Sequence, residues 1–547
     1  MGGVMSGVGK GIVTSSTGLI LKERGFGVNL VKIDPYLNVD AGTMNPTEHG
    51  EVFVLRSGLE TDQDMGNYER YLGRDLTPED YMTSGMVYQS VINRERALGY
   101  NGRFVEAIPH VRDEIIQRIE TAAAHNGSQV SVIEIGGTVG DFQNALFIEA
   151  ARVMRLKHPN DVRFVLVSYL PVPNTIGEMK TKPTQSAVRE LNSYGVQPDF
   201  IIARSNISMD EKRKEKLAIW CNVRPDHIIS APDVKNIYEV PLNLEKDMFG
   251  DLMLDALGLS KDVPADLRDW RGFVERIKGA DKELTIGIVG KYFDTGDFVL
   301  SDAYLSVIEA LKFSGAELGI KPKIEWVNAK DLEKAEGGDE GVSAMLGKYD
   351  GIIVPGGFGE TGIEGKLKAA RFAREHQIPY FGLCYGMHML VIEYARSVLG
   401  LSDAHTVEIN PETPNPVVDV MPEQAVNIAE GRYGGTMRLG VYPAELKEGT
   451  IARDAYGVAT VEERHRHRYE INPAYIERLT DAGLVFSGTS PDGVLMEIAE
   501  LPRETHPFYL GTQFHPELQA RPLSPHPLFT EFLRASAKNR EKTKESA

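Results

Sequence analysis

Cys384 stands at the end of an apolar run, in "PYFGLCYGM" (379–387), with Gly382 and Gly386 two residues to either side. A strand that turns sharply into a helix lifts its turn residue above a parallel sheet, and small neighbours permit the turn. A helix N-terminus also favours the thiolate, the nucleophilic form of cysteine. Taken alone, a cysteine in such a place reads more readily as core packing. The stretch "GTQFHPEL" (511–518) argues for chemistry: His515 and Glu517 are two apart at the end of an apolar run, so both project to one side, and Pro516 stiffens the link. A thiolate needs a base, and the base needs an orienting carboxylate. "VPGGFGE" (354–360) adds a Gly-Gly turn whose N–H groups suit an oxyanion hole. Together the three predict a cysteine hydrolase or acyl-transfer site.

A second set of residues suits phosphate. "GGVMSGVGKG" (2–11) is a glycine-rich loop with Lys10, ahead of a helical pattern closed by Gly25. Such a loop offers backbone N–H groups to an anion at a helix N-terminus, and the lysine reaches the outer phosphates. The spacing is one residue longer than G-x-x-x-x-G-K-[ST], and glycine stands where Ser or Thr follows the lysine, so a glycine-rich turn is the competing reading. Magnesium would then need carboxylates from elsewhere. Glu134 ends a β-branched strand before Gly-Gly, and a buried carboxylate there needs a partner. "ETDQDMGNYER" (60–70) offers Glu60, Asp62 and Asp64, which also read as a solvated turn. In "GEMKTKPTQSAVREL" (177–191), Lys180 and Lys182 point the same way if the segment is extended, with Gln185 nearby. A solvent-facing loop is the alternative.

The elements that must hold these residues are short apolar runs, each followed by a turn and a helical pattern: "VSVIEIGG" (130–137), "RFVLVSYL" (163–170), "DFIIARS" (199–205), "LTIGIVGKY" (284–292), "GIIVPGGFG" (351–359) and "PYFGLCYG" (379–386). Strands buried on both faces and alternating with helices predict an α/β fold with parallel-sheet cores, ligands sitting at the strands' carboxyl ends. A chain of 547 residues predicts about two to four domains. The charged stretch 259–283 lacks strand character and is taken as a linker between domains over 1–258 and 284–537, with a polar, disordered tail over 538–547.

A net charge of −18 excludes a general affinity for nucleic acid. No run of 18 apolar residues and no signal-peptide order occur, so neither membrane insertion nor export is expected and the location is read as cytoplasmic. Cys221 and Cys384, the two cysteines, are too few for a disulfide framework.

The whole chain resembles the CTP synthase family, an amidoligase fused to a class I glutamine amidotransferase. The resemblance is carried by "GKGI", "KIDPYLNVDAGTMNPTEHGEVFV", "ETDQDMGNYERY", "IEIGGTVGD", "GEMKTKPTQ", "VPGGFG", "GTMRLG", "ERHRHRYEIN" and "QFHPE". It implies a P-loop-type synthetase domain and a glutaminase domain. The implied reaction uses ATP and Mg2+ to phosphorylate O4 of UTP and displaces that phosphate with ammonia from glutamine, in pyrimidine nucleotide biosynthesis.

By motif, Ser6, Gly7, Val8, Gly9, Lys10, Gly11 and Lys32 resemble the ATP-phosphate site, with Lys10 among the catalytic groups. Arg204, Asp233 and Val234 fall where adenine is met. Asp64 and Glu134 look like the magnesium ligands. The UTP and CTP site would comprise Ser6, Asp141, Phe142, Gln143, Lys180, Thr181, Lys182, Pro183, Thr184, Gln185 and Lys216. In the second half, Cys384 would form a glutamyl thioester, with His515 moving protons and Glu517 orienting it. Gly357 and Tyr385 would face the oxyanion, and Phe358, His388, Glu408 and Arg468 would complete the glutamine site. His49 matches a histidine guarding the ammonia passage, and Cys221 is left as packing. GTP as allosteric activator, CTP as product inhibitor, a homotetramer and, in some members, filaments belong to the same resemblance.

Four departures stand out. The family carries a strand of about six to eight residues ahead of the phosphate loop, whereas here "MGGV" opens the chain, and the expectation is a native start upstream. Thr361 replaces an arginine implicated in GTP binding, which predicts weakened activation. His388 stands where glutamine is usual. Gln143 replaces an acidic residue near CTP, predicting weaker CTP inhibition, and "DTGDFVLSD" (294–302) lengthens the loop after Lys291. The competing identities are another glutamine-dependent amidoligase, such as a cobyrinic-acid-type amidase, which would lack "GEMKTKPTQ" and "GTMRLG", and a filament-forming relative without synthetase activity.

Overall fold

The structure, a computed structural model, describes residues 1–174, 177–291 and 301–546. Two compact units result: Met1–Asp40 with Asn67–Val274, and Ala41–Gly66 with Glu275–Ala547.

In the first unit the apolar runs form parallel strands. Val28–Asp34, buried along its whole length, lies between Tyr81–Thr83 and Val130–Ile135. Gly2–Gly3, Val165–Tyr169, Phe200–Ser205 and Ile228–Pro232 follow in that order. The first residues tie the two sets together, because Met1 accepts from the Ile135 N–H and Gly3 from the Val139 N–H. Beside Met1 and Gly2 an apolar cavity of about 620 Å3 runs between Val130–Ile133 and Phe164–Leu166. Helices cover both faces of such a sheet, which is why its strands read as unbroken apolar runs rather than alternating ones.

The stretch read as a linker contains the helix Arg268–Gly279. Its apolar residues fall at i, i+3 and i+4, and Trp270, Phe273 and Val274 are buried. The Trp270 indole N–H donates to Tyr238 O at 2.8 Å, and its ring packs against Tyr71 and Tyr238. A stripe of three residues among many charges is short enough to pass for a solvated segment.

The second unit is built on nine strands in the order Ile320–Asn328, Lys282–Gly290, Gly351–Val354, Tyr380–Leu383, Tyr509–Thr512, Met496–Glu500, Val485–Thr489, Arg438–Leu446 and Thr460–His467. The first five are parallel, as predicted for this half. The other four continue the sheet antiparallel, which the run-by-run reading did not include.

Residues 41–66 belong to this unit although they lie far from it in sequence. Val441 N–H donates to Arg56 O at 3.1 Å, and Arg464 Nη1 to Val54 O at 3.0 Å. Gly58 has φ +93°, and a Cβ there would stand 2.9 Å from Leu439 O, so glycine is required for both conformation and approach.

The tail expected to be disordered is instead the end of the helix Pro527–Ser546. Asn539 Nδ2 donates to Asp350 O at 3.2 Å, Arg540 pairs with Asp350 at 2.9 Å, and Lys282 pairs with Glu541 at 2.6 Å. Those contacts hold a polar segment that composition alone assigns to solvent. Most of the lengthened loop at 294–302 lies outside the described residues.

Candidate active site

Tyr380–Leu383 and Tyr509–Thr512 are adjacent parallel strands, so the residues that follow them leave the sheet at one edge. Cys384 is the first, with φ 50° and ψ −100°, a backbone state that costs a side chain of any size about 1–3 kcal/mol. Its N–H donates to Thr512 O at 2.6 Å, and the buried helix Tyr385–Ser397 begins at the next residue. A Cβ on Gly386 would stand 2.0 Å from Val354 O, and one on Gly382 would stand 2.6 Å from Gly386 C. The small neighbours are therefore a steric condition of the elbow.

His515 leaves the next strand. Its Nδ1 meets Glu517 Oε1 at 2.7 Å, and its N–H donates to Arg464 O at 2.8 Å. Burial alone would lower the imidazole, but the Glu517 carboxylate and the Cys384 sulfur overcome it and push His515 up to about 10. A protonated ring facing the sulfur has a proton to give. Gly356 supplies the floor, since a Cβ there would be 2.8 Å from His515 Cε1. A cavity of about 90 Å3 touches Cys384, His515, Gly357 and Phe358, and also Pro46 and Glu51 of the 41–66 segment. Glu51 is fastened there by the Ser306 N–H at 3.1 Å, and Glu60 accepts from Arg466 Nε at 2.7 Å.

Around this site Glu408 accepts the Gly359 N–H at 2.8 Å, and Tyr385 OH donates to Gly359 O at 3.0 Å. Burial raises the Glu408 carboxyl, against the pull of that N–H, Lys291 and Lys366. Lys366, which the sequence reading passed over, is buried over the Tyr385 ring at 4.7 Å. Burial, with Lys291 adding to it, pushes it down to about 7. A lysine at a buried position of the apolar face of Ile363–Glu375 was the available signal. Arg468 donates to Gln424 Oε1 at 2.6 Å, to Thr436 Oγ1 at 2.9 Å and to Tyr433 O. His388 is buried with Nε2 on Gln513 Oε1 at 2.9 Å. Thr361 is exposed in the turn before Ile363–Glu375, and His49 is exposed at the end of Pro46–His49.

In the first unit Lys10 opens the helix Lys10–Lys22, with Gly9 as left-handed N-cap at φ 89°. Lys10 Nζ folds over the loop to Gly137 O at 2.9 Å and Met5 O at 3.4 Å. Ser6, Gly7 and Val8 form the turn before it. Arg204 Nη1 donates to Val8 O at 3.0 Å while Nη2 pairs with Asp233 at 2.5 Å, so two of the residues expected near adenine meet beside the glycine loop. Val234 follows Asp233 and is half-buried.

Lys32 and Glu134 are register partners on neighbouring strands and pair at 3.1 Å, with Asp34 3.6 Å from the same ammonium. Tyr68 OH donates to the other Glu134 oxygen. Asn144, also missed, braces the 136–144 loop by donating to Gly136 O at 3.0 Å and Thr138 O at 2.8 Å.

Lys182 is not extended, as the sequence reading had it, but opens the helix Lys182–Ser193 with Pro183 in its first turn. The helix N-terminus thus adds its own N–H groups to the lysines. Lys180 pairs with Glu178 at 2.8 Å, and Gln185 Nε2 donates to Thr181 Oγ1 at 3.2 Å. Thr184 is buried on Ser168 at 2.7 Å. Lys216 is exposed on Glu211–Cys221, and Asp141, Phe142 and Gln143 form an outer turn whose Phe142 is 95% exposed.

Among the described residues no group of three or more His, Cys, Asp and Glu is poised for a metal. Asp64 lies in the second unit's 41–66 segment, its N–H on Asp62 Oδ1 at 2.9 Å. Cys221 packs with Leu217 and Val223, and burial pushes its thiol up to about 11, as packing requires. No helix among the described residues is long and apolar enough to cross a membrane.

Comparison with known proteins agrees across both units. The family model for the CTP synthase N-terminus matches residues 1–259, and that for glutamine amidotransferase class-I matches 299–535. CTP synthase of Thermococcus gammatolerans is 50% identical over 537 residues, covering 98% of this chain and 97% of that one. CTP synthase of Methanopyrus kandleri is 49% identical over 538 residues, covering 98% of each. A solved structure titled as the glutaminase domain of Trypanosoma brucei CTPS with bound acivicin is 38% identical and covers 47% of this chain and 94% of that one, with a TM-score of 0.42. With a glycine-rich loop ahead of a helix in one unit, a cysteine elbow in the other and full-length relatives of one kind, the chain belongs to the CTP synthase family.

Proposed function

We propose that this chain makes CTP from UTP, driven by ATP and supplied with nitrogen by glutamine hydrolysis at Cys384. The observation that carries the reading is the elbow: Cys384 at φ 50° beside a His515–Glu517 pair held at 2.7 Å. The thiolate attacks the glutamine side-chain carbonyl, forming a C–S bond. As the C–N bond breaks, the His515 proton goes to the departing nitrogen, and ammonia leaves. Water then cleaves the thioester to glutamate. The N–H groups of Gly357 and Tyr385 receive the oxyanion, and Phe358, His388, Glu408 and Arg468 grip glutamine. His49 is the proposed gate for the ammonia.

In the first unit, residues 6–11 and Lys32 take the ATP phosphates, and Arg204, Asp233 and Val234 the adenine. Lys180, Lys182, Gln185 and Lys216 take the UTP triphosphate, with Thr181, Pro183 and Thr184 shaping the turn and residues 141–143 bordering the base. Phosphorylation of O4 turns a poor leaving group into a good one for ammonia to displace. Glu134, held by Lys32 and Tyr68, offers carboxylate oxygen, the donor hard divalent cations prefer. Asp64 is the other carboxylate proposed for Mg2+. When bound, the ion offsets phosphate charge. GTP activation weakened by Thr361, CTP inhibition weakened by Gln143, a homotetramer able to form filaments and a cytoplasmic location complete the proposal.

The test follows CTP formation from UTP, ATP and magnesium with glutamine or ammonium chloride, with and without GTP, in wild type and Cys384→Ala. Ammonia should serve both proteins and glutamine only the wild type, with little GTP response. Glutamine-dependent synthesis by Cys384→Ala would overturn the assignment of the nucleophile, and no CTP from either donor would overturn the synthetase reading.

A further inference from the structure

Gln513 lies between the strand Tyr509–Thr512 and His515 and is fully buried. Its amide Nε2 is 3.8 Å from Cys384 Sγ, and its Oε1 is 2.9 Å from His388 Nε2. Its own N–H donates to Glu497 O at 2.8 Å, which anchors the backbone from which the side chain projects. Arg466 O also stands 3.8 Å from Cys384 Sγ. That carbonyl is an acceptor and serves the thiol, whereas an amide N–H serves the thiolate. The charged or titratable side chains around the sulfur are those of His515, with Glu517 behind it, and of Arg466 and Glu51 on the walls of the same cavity.

The orientation of the amide follows from His388. Burial pushes that imidazole down to about 4, so it is neutral and carries one N–H. Nδ1 of His388 has no hydrogen-bond partner among the described residues. If the proton sat on Nδ1, a buried donor would be orphaned, and orphaned donors are rarer and costlier than under-used acceptors. The proton therefore sits on Nε2 and is donated to Gln513 Oε1, which leaves the amide NH2 facing the sulfur. The alternative flip would point the amide oxygen at a thiolate.

We propose that Gln513 is a positioning residue of the glutaminase reaction, its amide N–H donating to the Cys384 thiolate while His388 locks the amide in that orientation. His388 thereby acts on the sulfur through Gln513. The inference rests on Cys384 being the glutaminase nucleophile, but its test has a readout that does not need turnover.

The experiment measures three quantities in the full chain: kcat and KM for glutamine, the rate at which iodoacetamide alkylates Cys384 at pH 7 as followed on its peptide, and ammonia-dependent CTP formation. The variants are Gln513→Leu, the isosteric Gln513→Glu, His388→Leu, His388→Gln and the Gln513→Leu/His388→Leu double. Gln513→Leu should slow alkylation and lower kcat about tenfold, the scale of a lost hydrogen bond to a charged group, with KM little changed. Gln513→Glu should slow alkylation at least as much, because a carboxylate faces the sulfur, and it covers the case in which the leucine variant does not fold. His388→Leu should give a smaller loss in the same direction, the double should match Gln513→Leu alone, and His388→Gln should restore the rate by donating its own amide N–H. Unchanged alkylation in both Gln513 variants would overturn the proposal. So would a His388→Leu effect confined to KM, which would leave His388 its grip on glutamine and no action on the sulfur. If wild type alkylates at Cys384 but hydrolyses no glutamine, the functional reading fails while the alkylation rates still judge Gln513.

Discussion

A methyl group on Gly356 would stand 2.8 Å from His515 Cε1, closer than carbon atoms approach without movement. Gly356→Ala should therefore tilt the imidazole off its line to Cys384 and lower glutamine hydrolysis by roughly 10²-fold, the scale of a misplaced catalytic group. Ammonia-dependent CTP formation is the control that should persist. Glu517→Gln keeps the shape but removes the charge that holds His515 up near 10, so less of the imidazole facing Cys384 carries its proton. Glutaminase kcat should fall by about 10²-fold, read by glutamate release. In the first unit, Glu134→Gln removes the buried counter-charge of Lys32 at 3.1 Å. Breaking a buried pair from one side costs about 3–5 kcal/mol; Asp34, 3.6 Å from the same ammonium, brings the expectation to the low end. Urea unfolding of the purified protein measures it.

At the scale of elements, the helix Pro527–Ser546 is secured near its end by half-exposed partners. Asp350 takes Arg540 at 2.9 Å and also accepts the Thr285 N–H at 2.7 Å, so it joins the helix to the strand Lys282–Gly290. Removing residues 539–547 should cost only about 1 kcal/mol, because partly exposed pairs are screened and the buried face of the helix, from Leu528 to Ala537, remains. A small shift in the urea midpoint with unchanged CTP formation is the expected result. The same element shows where sequence reasoning failed: the tail's composition is that of a solvated segment, and its partners Asp350 and Lys282 lie far away in sequence. The helix Arg268–Gly279 and the 41–66 segment were hidden for a similar reason. Trp270 needs Tyr71 and Tyr238, and Glu60 needs Arg466, each partner distant in sequence.

Across the second unit, buried titratable groups oppose one another. Burial lowers His388 and His506 to about 4 and carries His465 and His467 well below their usual range. Below about pH 6.5 the unfolded chain gains protons that the folded one refuses, so these four lose stability as pH falls. Burial raises Glu408, Glu470, Glu497 and Glu500, and these gain stability over the same fall, until the unfolded carboxylates protonate near their ordinary range. The net acid response is a small difference, and one substitution exposes it. His506→Gln deletes a titration while its amide can replace the contacts to Ala373 O and the Phe508 N–H. Between pH 7 and 5.5 the wild type should lose roughly 1 kcal/mol more than the variant; parallel pH dependences would refute the assignment.

What the sequence determined by itself was the chemistry and the local frame. Gly382 and Gly386 declare a tight elbow, His515 and Glu517 project together because they are two apart, and continuous apolar runs announce strands buried on both faces. These are local properties, governed by backbone sterics and side-chain period. Tertiary structure alone decided which distant residues complete them: that Tyr68 meets Glu134, that Lys182 opens a helix, that Ala41–Gly66 belongs with the cysteine unit, and that Gln513 turns its amide to the sulfur. No spacing encodes such partnerships, because they form only when strands from separate parts of the chain fix their register and bring buried polar groups close enough to satisfy one another.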